Sequence, residues 1–236
     1  MATKKKKKAK KPQAQNAQNM TPIQYFLSGR ARTLELAECL VNDDWEESGM
    51  AMIVVARRHK TGNITFGSFV VDTYCLGVKD TSQSFNRFPE DYQEYKDSLF
   101  ERGGLTIENI DYALAHNIIF GALNYAAKLG FAAQKDWKYG QMILEPINAV
   151  AKMPLEFGKD GQPFYVSGPY DKAQQIIDKL TKAVGEGNFG TIIDMRSMGF
   201  GNEFGMSDFD DDDDDFDDDE DDDNDVQDVD YEEVKS

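Results

Sequence analysis

Cysteine and histidine are scarce in this sequence, which has two of each in 236 residues. Cys39 and Cys75 are too few for a disulfide framework or a four-cysteine zinc site. His59 and His116 are too few for a three-histidine zinc centre. Both thiols are expected to be reduced and buried, as in a cytoplasmic protein. No apolar run approaches the about 20 residues that span a bilayer, so no membrane partner is expected. The basic start is followed by Pro, Gln, Asn and Ala over residues 12–19, with no apolar core, so no secretory signal is expected. No unit recurs at the period of about 20–50 residues that marks a solenoid.

Charge is abundant and segregated. The formal net charge is −17, from 43 acidic and 26 basic side chains. Residues 1–20 hold seven lysines and no acid; residues 208–236 hold 19 acids and one lysine. Three segments follow: a basic arm at 1–20, a single α+β domain at 21–198, and a Gly/Phe linker with an acidic tail at 199–236.

The arm carries Lys4, Lys5, Lys6, Lys7 and Lys8, then Lys10 and Lys11, and no aromatic residue. It cannot bury enough surface to offset chain entropy, which predicts disorder. Such a run suits a protein partner or a nucleic-acid-containing assembly; the plain alternative is a solubilising extension. Self-repulsion predicts an extended, disordered tail as well. Phe209 and Phe216, with Val226, Val229 and Tyr231, are spaced through it as candidate partner-binding positions. The tail has no glycine, so the tight bend of a high-affinity calcium loop is not expected. Seven lysines on phosphates would give a salt slope near about −6. The tail is tethered to the arm at roughly millimolar effective concentration, and its charge exceeds the arm's. The tail should therefore compete with nucleic acid for the arm.

Between the tails, Thr21, Pro22 and Gln24 form a helix-start signature. Residues 33–41 favour a strand, and Asn42-Asp43-Asp44 a turn. Residues 52–58 are apolar on both faces, as in a central strand, and pair as a hairpin with residues 64–76. Apolar phase changes at Gly67-Ser68, which predicts a bulge. Residues 85–102 read as a surface helix through Tyr92, Tyr95 and Leu99. The strongest helix spans 106–130, with Thr106 as cap and two apolar stripes that make it a buried helix. Gly121 within it implies a close approach by another element. Asp160-Gly161 marks a second hairpin joining 155–157 to 162–167. Asp171 and Gln174 read as the capping pair of a third helix that ends at Gly185, and 191–195 as a short last strand. Hairpins mixed with helices, without a βαβ rhythm, argue for an α+β fold: antiparallel hairpins packed on a buried central helix, with disordered charged tails at both ends.

No nucleophile elbow, P-loop or paired-histidine metal helix occurs. Gly185 to Gly190 matches G-x-G-x-x-G but follows a helix instead of a strand, the wrong context for a dinucleotide. Arg57, Arg58, His59 and Lys60 form a basic hairpin tip, suited to phosphate or simply solvated. Asp72, in an apolar strand, is costly unless paired or liganded. Asp72 and Asp80, with Glu145 or Asp136, form a candidate magnesium set, and His116 a candidate general base. The plain alternative is that Asp72 caps backbone amides or pairs with Lys79 or Arg57, and that His116 is a satisfied core histidine.

Four stretches carry a resemblance: Asp44-Trp45-Glu46-Glu47-Ser48-Gly49; Phe69-Val70-Val71-Asp72-Thr73-Tyr74-Cys75-Leu76-Gly77-Val78-Lys79-Asp80; Ala115-His116-Asn117-Ile118-Ile119-Phe120-Gly121-Ala122; and Glu156-Phe157-Gly158-Lys159-Asp160-Gly161-Gln162-Pro163-Phe164-Tyr165-Val166. Together they resemble a family of uncharacterised bacterial proteins over about residues 30–185. The Cys-Leu-Gly-Val-Lys-Asp segment is the most specific part. The family implies no chemistry. A Pro-His-x-Asp-like turn expected in similar sequences reads Ala133-Gln134-Lys135-Asp136 here, which weakens a metal site at that place. The sequence thus favours a non-enzymatic binding module without a cofactor, with a magnesium-dependent nuclease or phosphoesterase using Asp72 and Asp80 as the alternative.

Overall fold

Thr21 opens the first helix, α1 (Pro22–Leu27), as its spacing predicts. Its hydroxyl accepts the Gln24 N–H at 3.3 Å, and the Gln24 side chain accepts the Thr21 N–H at 3.0 Å. This computed structural model describes residues 20–101 and 104–193. The basic arm, the linker and the acidic tail lie outside the described residues, as does the expected domain limit at residue 198.

The fold is α+β. Strands β1 (Glu35–Asn42), β2 (Met50–Arg58), β3 (Ile64–Asp72), β4 (Gly77–Arg87) and β5 (Ile107–Asn109) form one antiparallel sheet in the order β4-β3-β2-β1-β5. The doubly apolar β2 is central, as its pattern predicts. A one-turn helix, α2 (Trp45–Ser48), sits between β1 and β2 and buries Trp45. Among the described residues, no helix is long and apolar enough to cross a membrane.

The two faces of the sheet serve two cores. Cys39, Ile53, Val55, Phe69 and Val71 meet Ala115, Ile118, Ile119 and Ala122 of helix α4 (Tyr112–Lys128). Leu40, Val54, Ala56, Ile64 and Phe66 meet Tyr92 and Phe100 of helix α3 (Pro89–Glu101). Side chains alternate along a strand, so a sheet covered on both faces carries two apolar sets in opposite phase. This corrects the expected bulge at Gly67-Ser68. The β2–β3 register is unbroken there, pairing Val54 with Ser68 and Val55 with Gly67. The phase change marks one face giving way to the other. The irregularities lie instead between β3 and β4, at Ile64/Phe66 and Val70/Val71.

Other boundaries also differ. The return strand ends at Asp72, and residues 77–87 form a further strand. Its polar, partly exposed character, that of an edge strand, hides it from an apolar pattern. The long helix begins at Tyr112, not near residue 106, because Ile107–Asn109 pair with β1. Gly121 does mark a close approach: a Cβ there would lie 2.3 Å from the Phe157 ring. A short helix, α5 (Trp137–Gly140), follows α4.

The second hairpin is half correct. Asp160 (φ 53°) and Gly161 (φ 75°) make the tight turn, with Lys159 and Gln162 exchanging N–H···O bonds at 2.8 and 3.1 Å. Strand β6 (Phe164–Val166), however, pairs in parallel with β7 (Gly190–Ile192) and not with residues 155–157. Helix α6 (Ala173–Val184) is the crossover between them, and Gly185 (φ 89°) ends it. Asp171 does not cap α6; Lys172 holds the N-cap position without a side-chain bond. The Gln174 side chain bonds Asp178 instead. Tyr165, Ala173 and Leu180 pack with Cys75 and Leu129 in a third core, joining this unit to the main sheet and α4.

Candidate functional site

Asp72 terminates β3, and its buried carboxylate organises the turn into β4. Oδ1 accepts the Tyr74 N–H at 2.8 Å and the Cys75 N–H at 2.9 Å. Burial raises its pKa, opposed by the Cys75 and Tyr74 amides and by the Lys79 charge. The turn satisfies the buried Asp72 carboxylate with backbone donors, the arrangement a charge in an apolar strand demands. Asp72→Ala leaves two buried donors without their acceptor and is expected to cost about 2 kcal/mol, with Asp72→Asn much milder. Chemical denaturation of the two variants compares them directly.

Asp80 lies on β4 opposite Val70, while Asp72 lies opposite Gly77. The irregularity between these pairs leaves Lys79 unmatched in the ladder. A bulge re-aims its side chain: Lys79 Nζ reaches Asp171 at 3.1 Å, and Tyr165 donates to the same carboxylate at 3.3 Å. Burial pushes the Asp171 pKa up, but the Gly168 N–H and Lys79 outweigh it, and the net shift is downward. Asp80 itself is exposed.

His116 is buried on α4, on a different polar cluster. Its Nε2 lies 3.0 Å from the Glu145 carbonyl oxygen, and its ring packs against Phe120 and Tyr112. Glu145, a candidate third member of the magnesium set, pairs with Arg57. The guanidinium Nη2 contacts both carboxylate oxygens at 2.8 Å, Nε donates to the Ile143 carbonyl at 3.0 Å, and Nη1 donates to the Leu34 carbonyl at 3.0 Å. The Tyr112 hydroxyl accepts the Glu145 N–H at 2.9 Å, and its ring lies under the guanidinium. Burial pushes the Glu145 pKa up; the Tyr112 hydroxyl and Arg57 outweigh it and hold the carboxyl below its usual range. Asp136 occupies the N-cap of α5.

The expected sites therefore fall apart into separate clusters. Among the described residues, no group of three or more His, Cys, Asp or Glu side chains is placed to hold a metal ion. The donor set around Asp72 does not fit magnesium: its neighbours are amides and a lysine. Arg57 leaves the basic tip as well, being 3 % exposed. Arg58 and Lys60 remain exposed there. Lys4, Lys5, Lys6, Lys7, Lys8, Phe209 and Phe216 lie outside the described residues. Sequence reading missed the Arg57–Glu145 pair because its partners are 88 positions apart. The one local signal was a charged residue inside each of two apolar stretches.

His59, in the hairpin turn, sits between Tyr25 of α1 and Phe85 of β4, with centroids 6.1 and 5.7 Å away, and its Nε2 contacts Thr65 Oγ1 at 2.7 Å. Burial lowers the pKa of both histidines. The unfolded chain then takes up protons first as pH falls through about 6.5. Their contribution is fully present above that value and is lost below it. Asp72, whose pKa is raised, contributes with the opposite sign. Melting temperature is expected to fall on acidification below about pH 6.5, and His59→Gln with His116→Gln to flatten the fall. An unchanged slope in the double variant contradicts this.

Cys39 is buried, and burial pushes its thiol up to about 12; Cys75 is shifted upward for the same reason. Neither is poised as a nucleophile. Compared with family models, with curated proteins and with solved structures, the chain finds no match.

Proposed function

We propose that this protein works by binding, as a cytoplasmic α+β scaffold whose two charged ends select and regulate its partners. The observation that carries this reading is the segregation of charge: seven lysines without an acid in residues 1–20, and 19 acids with one lysine in residues 208–236. The interior charges support it, because Arg57, Asp72, Glu145 and Asp171 are spent on holding the fold. The arm, aided by Arg58 and Lys60 at the hairpin tip, is the surface for a nucleic-acid-containing assembly. The acidic tail, with Phe209 and Phe216, competes for the arm and engages protein partners.

A chain ending at Ser207 is expected to bind a single-stranded oligonucleotide more than tenfold more tightly than the full chain at low salt. Equal affinity of the two forms overturns the competition. The hydrolytic alternative requires Asp72 and Asp80 to act together on magnesium, and predicts that Asp80→Asn abolishes magnesium-dependent cleavage. The binding reading predicts no such cleavage to lose.

A further inference from the structure

Helix α3 packs over the centre of the sheet, on Leu40, Val54, Ala56, Ile64 and Phe66. The edge strand β4 extends beyond that cover. Between helix and edge lies a cavity of about 270 Å³, lined by Phe66, Ser84, Arg87, Asp91, Glu94 and Tyr95. Strand register and helix geometry account for this lining. Phe66 and Ser84 are direct cross-strand partners, so they share the face beneath α3. Asp91 stands one helical turn before Glu94 and Tyr95, and all three border the space. The floor is aromatic, with the Phe66 and Tyr95 rings 4.6 Å between centroids. Tyr95 is held in place from below: its hydroxyl donates to Ser68 Oγ at 2.7 Å, and Ser68 contacts Ser82 at the same distance.

Three exposed charged side chains border this space. Arg87, Asp91 and Glu94 line the same cavity, yet the ion pairs among the described residues are Arg57–Glu145, Lys79–Asp171 and Lys96–Glu38. Both signs are thus presented to the cavity without neutralising one another. The half-buried Tyr95 ring beside two carboxylates attracts a cation, and the Arg87 guanidinium attracts a carboxylate.

We propose that this cavity is a binding site for a basic amino acid, with its cationic groups on Asp91 and Glu94 beside the Tyr95 ring and its carboxylate on Arg87. The ligand's net positive charge complements two acids and one arginine. The space is at the small end of ligand pockets, which favours a single amino acid over a larger molecule. The site is independent of the charged ends, so it stands or falls separately from the binding function proposed for them.

The test uses the full chain and three probes: L-arginine, agmatine (the same cation without its carboxylate) and L-glutamate. Binding is followed by nuclear magnetic resonance of the Phe66 and Tyr95 ring signals. L-arginine at millimolar concentration is expected to shift both rings, agmatine to bind about tenfold more weakly, and L-glutamate to leave them unmoved. Glu94→Gln is expected to weaken L-arginine at least tenfold. Arg87→Gln is expected to erase the difference between L-arginine and agmatine. Both positions are exposed, so the fold survives either change, and circular dichroism verifies this. Ring signals unmoved by L-arginine overturn the site. So does movement that Glu94→Gln leaves unchanged.

Discussion

Arg57→Ala is expected to destabilise the domain by about 3–5 kcal/mol, the range for breaking a buried ion pair by removing one partner. The side chain is 4 % exposed and its guanidinium holds four acceptor atoms on three residues: both Glu145 oxygens and the Ile143 and Leu34 carbonyls. These contacts tie the irregular chain after α4 to the sheet, together with His116 and Tyr112. Asn117 continues the tie, donating to the Ala151 carbonyl at 3.0 Å and accepting the Met153 N–H at 2.9 Å. Without the arginine, the two carbonyls lose their donor and the cavity left by its stem adds to the cost. Glu145, 33 % exposed in its side chain, can turn to water. The measurement is urea unfolding followed by the fluorescence of Trp45 and Trp137. Arg57→Met combined with Glu145→Gln is expected to recover part of the loss, because the methionine refills the space of the arginine stem. A loss of under about 0.5 kcal/mol for Arg57→Ala would show that the pair does not hold this segment.

Gly77→Ala is expected to cost about 3 kcal/mol. Gly77 begins β4 at φ +72°, where a side chain strains the backbone by roughly 1–2 kcal/mol. Its Cβ would also stand 2.8 Å from the Ala126 Cβ and 3.2 Å from the Ala122 carbonyl of α4. Neither neighbour can move aside without shifting the helix, and overpacking of this kind adds about 1–3 kcal/mol. The glycine thus lets the turn organised by Asp72 lie directly on α4. Thermal unfolding reads the loss. Gly62→Ala is the control, since Gly62 has a similar φ of +92° but no atom within 4 Å of an added Cβ. Equal losses at the two glycines would mean that backbone strain alone matters and that the contact with α4 does not.

Local signals were legible wherever the physics is local. The Thr21–Gln24 capping box, the Asp160-Gly161 turn and the end of α6 at Gly185 all depend on residues a few positions apart. The doubly apolar β2 announced its central place. What escaped depends on tertiary context. β4 is polar because it lies at the edge, and its strand character comes from pairing with β3. Residues 107–109 read as the start of a helix until β1 supplies a partner. β6 looks like half of a hairpin, and its parallel partner lies beyond α6. The candidate site followed the same rule. Asp72 was correctly singled out as a buried charge needing a partner, and the amides that satisfy it are two and three positions away. Glu145 and Arg57, and Lys79 and Asp171, find each other only once the sheet and α4 are assembled. The cavity under α3 had no sequence signature, because its lining is drawn from two strands and a helix.

The central claim is that the lysine arm is a surface for nucleic acid held in check by the tail. Its most direct test is the salt dependence of single-stranded oligonucleotide binding by the chain ending at Ser207. Seven lysines predict a slope of log K against log salt near about −5 for a single strand. Removal of residues 1–20 from that chain should bring the slope close to zero. A slope near −5 that persists without the arm would place binding on the domain, and a slope near zero with the arm present would contradict the account.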